Sequence, residues 1–261
     1  MRSPVQPRGN RRGWARMFQA GSLVATLILF FTMSAAAGTA EDFAAANRSY
    51  ADGDYAGAGR GYERALADGP RVNVLYNLGN AWFRQGEPGR AILNYERALA
   101  LQPRHPDATA NLTLAREKSG ARVPGEPWWQ RGFLWFSPST ATALAVGGCW
   151  FFLLLGGSVA WRGKGGARIF ACGVGVLLVA GYAAGGCWAT QERGRVAIVV
   201  AARAEGRSEP AERSSVVVTL PPGSRVRVIS EQAGWTYCRL PGGQRGWLPA
   251  ATVESLVPRG K

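Results

Sequence analysis

The hexapeptide Tyr-Glu-Arg-Ala-Leu-Ala stands at Tyr62–Ala67 and again at Tyr95–Ala100, a separation of 33 residues. Self-similarity at a period of this size marks a stacked supersecondary unit that cannot bury its apolar face alone. Superposing the copies brings Gly53 onto Gly86, Ala58 onto Ala91, Pro70 onto Pro103, Asn47 onto Asn80 and Tyr50 onto Phe83. Each match has a mechanical reason. Glycine lets the chain turn between two helices. Ala58, Ala65, Ala91 and Ala98 stand where helices cross closely and larger side chains would clash, and proline stops the second helix. An incomplete third copy sets Asn111-Leu112 on Asn77-Leu78 and continues as a helix to about Lys118. Residues 41–119 are therefore predicted to form a helical solenoid of two units and a closing helix.

The second copy, with Leu78-Gly79, Trp82, Ala91, Tyr95, Ala98 and Pro103, strongly resembles a tetratricopeptide repeat, and the first is more degenerate, carrying Ala45-Ala46 where the second has Leu78-Gly79. The resemblance implies a concave face lined by the first helix of each unit. Phe43, Asn47 and Tyr50 would line it with Tyr76, Asn80, Phe83 and Arg84. That set suits an extended peptide: asparagine amides donate to and accept from a backbone, aromatics supply apolar contact, and Arg84 can meet a carboxylate. The competing reading packs the aromatics between helices and leaves the asparagines solvated.

Residues 1–40 read as an export signal, with basic residues at 10–16, an apolar run at 23–31 and small residues up to an expected cleavage after Ala40. Uncleaved, the same segment is an anchor of the same orientation. Residues 120–139 form a linker whose Trp128, Trp129, Phe133, Trp135 and Phe136 suit the headgroup level of a bilayer. Two uncharged runs follow, 140–161 and 169–189, each long enough for a transmembrane helix. The loop between them, 162–168, carries Arg162, Lys164 and Arg168, which favours the cytoplasmic side. The expectation is a two-helix transmembrane hairpin with both flanking modules outside. Gly181 and Gly185 are expected to allow close helix contact within it.

Residues 195–257 change character again. Short β-type runs, such as Val196–Val200 and Gly234–Leu240, are separated by Pro-Gly and Gly-Gly pairs and predict about five strands in a small all-β barrel. The stretch from Thr219 to Leu256 resembles a bacterial SH3 domain, with Gly234-Trp235 and Gly246-Trp247 at the places that family puts them. Trp235, Tyr237 and Trp247 are a candidate ligand shelf for a peptide or glycan. Alternatively the tryptophans fill the core and mouth of the barrel, with Cys238 beneath them.

Enzyme chemistry finds no footing. His105 is the lone histidine and reads as a surface loop residue, and no nucleophile motif or phosphate loop is present. Cys149, Cys172, Cys187 and Cys238 include no Cys-x-x-Cys, so neither a metal site nor a disulfide framework is expected, and no cofactor is implied. The formal charge of +14 lacks a basic groove interleaved with aromatics, which argues against nucleic acid and for an anionic membrane surface.

In its order of parts the chain resembles the BatE-type aerotolerance family: export signal, tetratricopeptide repeats, two-span hairpin, terminal SH3-like domain. The resemblance implies a non-enzymatic scaffold in the bacterial inner membrane, with both soluble modules periplasmic. It also implies partners among von Willebrand A-domain membrane proteins, coupled to a MoxR-type ATPase, in an oxidative-stress or envelope complex. The alternative is a protein that binds or senses peptidoglycan through the SH3-like domain.

Overall fold

The computed structural model describes residues 40–124, 138–161 and 166–257. The expected export signal (apart from Ala40), the aromatic residues Trp128 to Phe136 and the loop residues Arg162 and Lys164 lie outside the described residues.

The repeats fold as five helices: α1 (residues 40–51), α2 (Tyr55–Ala65), α3 (Val72–Arg84), α4 (Pro88–Leu101) and α5 (Pro106–Ser119). Gly53 and Gly86 turn the chain between the helices of each unit, at φ +83° and +79°, where a side chain would strain the backbone. Asp54 caps α2 by accepting from the Gly57 N–H at 2.8 Å, and Pro88 and Pro106 open α4 and α5. His105, expected in a surface loop, is instead the cap of α5. Its Nδ1 accepts from the Ala108 N–H at 3.2 Å, and its ring stacks on Tyr76 at 5.2 Å. Helix α4 is the centre of the module, with every residue from Ala91 to Glu96 buried. Such all-round burial requires cover on more than the two sides that α3 and α5 supply.

Helices α6 (Pro138–Trp161) and α7 (Gly166–Gly194) form a hairpin. Gly148 meets Val179, Phe152 meets Gly175 and Gly156 meets Cys172, so the two run antiparallel. The Phe152 ring lies 2.6 Å from where a Cβ on Gly175 would stand, the tightest such approach among the described glycines of the seam. Gly181 is not in the seam: nothing lies within 4 Å of its Cβ position. One segment, Phe170–Gly194, is long and apolar enough to cross a membrane by itself, and Thr142–Ser158 is a shorter apolar helix beside it.

The C-terminal module has seven antiparallel strands rather than five. They are β1 (Val196–Val199), β2 (Ala204–Arg207), β3 (Val216–Leu220), β4 (Arg225–Gln232), β5 (Trp235–Arg239), β6 (Arg245–Pro249) and β7 (Val253–Ser255), in the order β3-β2-β6-β5-β4-β1-β7. Irregularities after Gly206 and Val228 bend the sheet. Ala197, Val199, Ala204, Leu220, Val226, Val228, Cys238, Leu240 and Leu248 fill one core, so strands distant in the order face one another. Arg207 holds the loop that follows β2: it donates to the carbonyls of Glu212 and Ser214 and pairs with Glu205 at 2.7 Å.

The repeat and SH3-like modules are not separate. Ala91, Ile92, Leu93, Tyr95, Leu112 and Ala115 share a core with Ile198 and Leu256. Strand β1 is thereby buried on both faces, Ala197 and Val199 toward the barrel and Ile198 toward α4. This accounts for an unbroken apolar run where a half-buried strand would alternate. Polar bonds secure the contact. Arg97 donates to the Ser255 and Leu256 carbonyls at 2.7 and 3.1 Å, and the Arg122 N–H reaches Ser224 Oγ at 3.1 Å. Glu96, 4% exposed, accepts from Arg116 of α5 at 2.5 Å and from Arg225 of β4 at 2.6 Å. An antiparallel hairpin returns the chain to the side it left, which is what allows modules that end at Ser119 and begin at Val196 to dock.

Candidate functional site

Phe43, Asn47 and Tyr50 are spaced i, i+4, i+7 on α1, and Tyr76, Asn80 and Phe83 repeat that spacing on α3, so each set shares a helix face. Asn47 and Arg84 are exposed and the other five half-buried. The asparagines do more than solvate the surface. Asn80 Oδ1 accepts from the Tyr95 hydroxyl at 2.7 Å and from Asn111 Nδ2 at 2.9 Å. Asn47 Oδ1 accepts from Tyr62 at 2.8 Å and from Asn77 Nδ2 at 3.2 Å. Both carbonyls are thus occupied twice by the fold, and the Nδ2 group is what each asparagine retains for a partner. The tyrosines concerned are buried, and burial pushes both phenols up from their ordinary value. Gly79 leaves room for the Tyr95 ring, whose edge lies 2.6 Å from its Cβ position.

Around these groups Phe43 packs on Tyr62 with ring centroids 5.9 Å apart, and Tyr50 meets Tyr55 edge-on at 5.2 Å. Arg84 stands 6.0 Å over the Tyr55 ring, and the Tyr50 hydroxyl beside it raises its pKa. Lys118, which sequence reasoning did not place here, sits 5.2 Å over Phe83. The repeat period could have pointed to it only as the closing helix of the stack. Asn80→Ala should cost about 1–3 kcal/mol because it orphans the buried Tyr95 hydroxyl, whereas Tyr95→Phe should cost about 1 kcal/mol. Denaturant unfolding of the two variants checks the order. Equal losses would show that the hydroxyl finds another acceptor.

In the barrel, Trp235 and Tyr237 alternate with buried Thr236 and Cys238 along β5, and Trp247 lies between buried Gly246 and Leu248 on β6. All three aromatics are half-buried on the outer face, and the core beneath is aliphatic. Tyr237 and Trp247 are directly paired across the strands, with ring centroids 4.8 Å apart. Cys238 is fully buried and free, and burial pushes its thiol up to about 12. In the unfolded chain this thiol ionises at its ordinary value, near 9. Between about pH 9 and 12 the folded state therefore holds a proton that the unfolded state has lost, and stability should fall as pH rises through that window. The matching expectation is that Cys238 resists alkylation in the folded protein at pH 8 and reacts on unfolding, as read by site-resolved mass spectrometry. Ready labelling of the folded chain would contradict the burial.

Beside the aromatic row the same face carries arginines. Arg227 is opposite Arg239, and Arg239 is opposite Arg245. With Arg195, Val228, Ile229, Ser230 and Glu231 they line a pocket of about 500 Å³. Sequence reasoning sought contiguous basic runs, and only strand register brings these residues together. Among the described residues no group of three metal-ligating side chains is found.

Comparison with known proteins adds two family matches: the tetratricopeptide repeat over residues 72–105 and the bacterial SH3 domain over residues 207–254. Two curated relatives are photosystem I assembly proteins Ycf3 from Synechococcus. That of strain WH7803 is 37% identical over 79 residues, 29% of this chain and 46% of the relative. That of strain CC9605 is 38% identical over 73 residues, 26% of this chain and 42% of the relative. The chain thus spans less than half the length of the curated relatives it matches. The matches identify a tetratricopeptide repeat segment and a bacterial SH3 domain, two kinds of module whose typical work is binding rather than catalysis, and the fold docks the one on the other.

Proposed function

We propose that the protein is a non-enzymatic inner-membrane scaffold: α6 and α7 both span the bilayer, and the repeat and SH3-like modules stand together on the periplasmic side. The carrying observation is that two interaction modules share one core at the root of an apolar hairpin. Phe170, Leu177 and Leu154 are 74%, 72% and 69% exposed on that hairpin, and Trp150 and Phe151 61% each. A surface so apolar suits hydrocarbon rather than water. The order of parts is similar to that of BatE-type aerotolerance proteins, which supports a role in an envelope or oxidative-stress complex. Von Willebrand A-domain membrane proteins are the partners this reading names, engaged by the face of Asn47, Tyr50, Asn80, Phe83 and Arg84. The hairpin holds that face near the membrane and raises its effective concentration for such a partner.

The test is a photocrosslinker at exposed Arg84 in intact membranes, with the same probe at exposed Glu63 of α2 as the control. Capture of a von Willebrand A-domain membrane protein from position 84 and not from 63 is expected. A correctly inserted chain that captures no membrane protein would sink the scaffold reading.

A second reading rests on the outward position of Trp235, Tyr237 and Trp247: a shelf for peptidoglycan, on whose sugar and peptide faces aromatic rings can stack. In that case Trp247→Ala abolishes co-sedimentation with isolated cell wall. Unchanged sedimentation dismisses the shelf.

A further inference from the structure

The arginine-lined pocket lies where the barrel joins α7. Only Arg195 separates the helix, which ends at Gly194, from β1, which begins at Val196. Glu192, in the last turn of the helix, pairs with Arg227 at 2.9 Å and with Arg195 at 3.4 Å, so the pocket wall is tied to the helix itself. The apolar segment Phe170–Gly194 has 25 residues. It rises about 37 Å, against a hydrocarbon core of about 30 Å. Its last turn therefore stands at headgroup depth when the helix spans a bilayer. Trp188, 41% exposed one turn earlier, is the residue type enriched at that level.

The row Arg227, Arg239, Arg245 sets like charges directly opposite one another on adjacent strands, an arrangement that destabilises a sheet unless it is neutralised. Glu192 offsets Arg227 and Arg195. Arg239 and Arg245 are exposed, and among the described residues neither has an acidic partner. Glu231 is the acid among the lining residues, against four arginines. We propose that this pocket seats the phosphate of an anionic phospholipid headgroup, which supplies the missing counter-charge and fixes the docked modules against the bilayer. Arginine forks suit a phosphodiester, donating two parallel N–H bonds to its oxygens. Ile229, 49% exposed in the same wall, meets the glycerol and upper acyl region. The inference rests on the membrane reading above.

The test uses the full chain in zwitterionic detergent, with native mass spectrometry of retained lipid. Phosphatidylglycerol and phosphatidylcholine of identical acyl chains are offered at equal concentration. Preferential retention of phosphatidylglycerol is expected, and Arg239→Gln with Arg245→Gln should weaken it about 25-fold, about fivefold per arginine. Phosphatidylcholine retention should not change. Both side chains are exposed, so the double variant keeps the fold. Equal retention of the two lipids, or a double variant that still discriminates, overturns the proposal. Displacement of phosphatidylglycerol by equimolar inorganic phosphate also overturns it, in favour of a soluble phosphate site. Alkaline carbonate extraction separates the two levels. Release of the chain from native membranes removes the membrane reading and the pocket with it, whereas an integrated chain that fails to discriminate lipids removes the pocket alone.

Discussion

Glu96→Ala is expected to destabilise the folded chain by about 3–5 kcal/mol, the cost of breaking a buried ion pair by removing one partner. The carboxylate is 4% exposed and joins Arg116 of the repeats to Arg225 of the barrel. Its loss leaves two guanidiniums, 27% and 18% exposed, facing each other across the module boundary without the carboxylate that joined them. Coulomb repulsion then acts in a partly desolvated space, where it is stronger than in water. Thermal unfolding of the full chain in detergent should show a midpoint lower by on the order of 10 °C. Glu254→Ala is the internal contrast. Glu254 pairs with Arg97 at 2.9 Å but is itself 50% exposed, so its removal should cost no more than about 1 kcal/mol. If the two variants lose the same stability, the Glu96 clamp is not what secures the docking.

Gly89→Ala should change sign with context. Gly89 lies in the first turn of α4, and in an isolated repeat alanine there would favour the helix by about 1 kcal/mol. In the docked protein its Cβ would come within 2.7 Å of the Val199 carbonyl oxygen and 2.9 Å of that of Val200. Those are backbone atoms of the β1 end, which cannot swing aside as a side-chain tip can. The expected result is a loss of about 1–3 kcal/mol from overpacking, with larger losses for Gly89→Val. The measurement is paired denaturant unfolding of the full chain and of a fragment carrying residues 40–124. Stabilisation in both would mean that the modules do not dock closely in solution. Destabilisation in both would place the clash inside the repeats.

The aromatic shelf and the peptide face differ in how far sequence could reach them. Trp235, Tyr237 and Trp247 were open to two readings, because alternation tells which residues share a face but not which face is buried. Buried Thr236, Cys238 and Leu248 settled that question. Asn80 was legible as a repeated polar position on the first helix. Its partners Tyr95 and Asn111 lie 15 and 31 residues away on neighbouring helices, and stacking alone brings them together.

What the sequence determined by itself is local: where helices turn and which runs are helices or strands. These follow from backbone geometry, since glycine at positive φ, proline at helix starts and side-chain periodicity act within a few residues. What covers α4 and β1 was decided only by the tertiary structure. Val196–Val200 could be read as a strand, but nothing local says that both its faces are buried or names Ile92 and Leu93 as its second neighbour. The same holds for the cross-strand arginines, which are scattered along the chain and adjacent in the sheet. Burial requirements are written in short windows of residues. The partners that meet them are chosen by long-range docking, made feasible here because an antiparallel hairpin brings the barrel back to the helices it left.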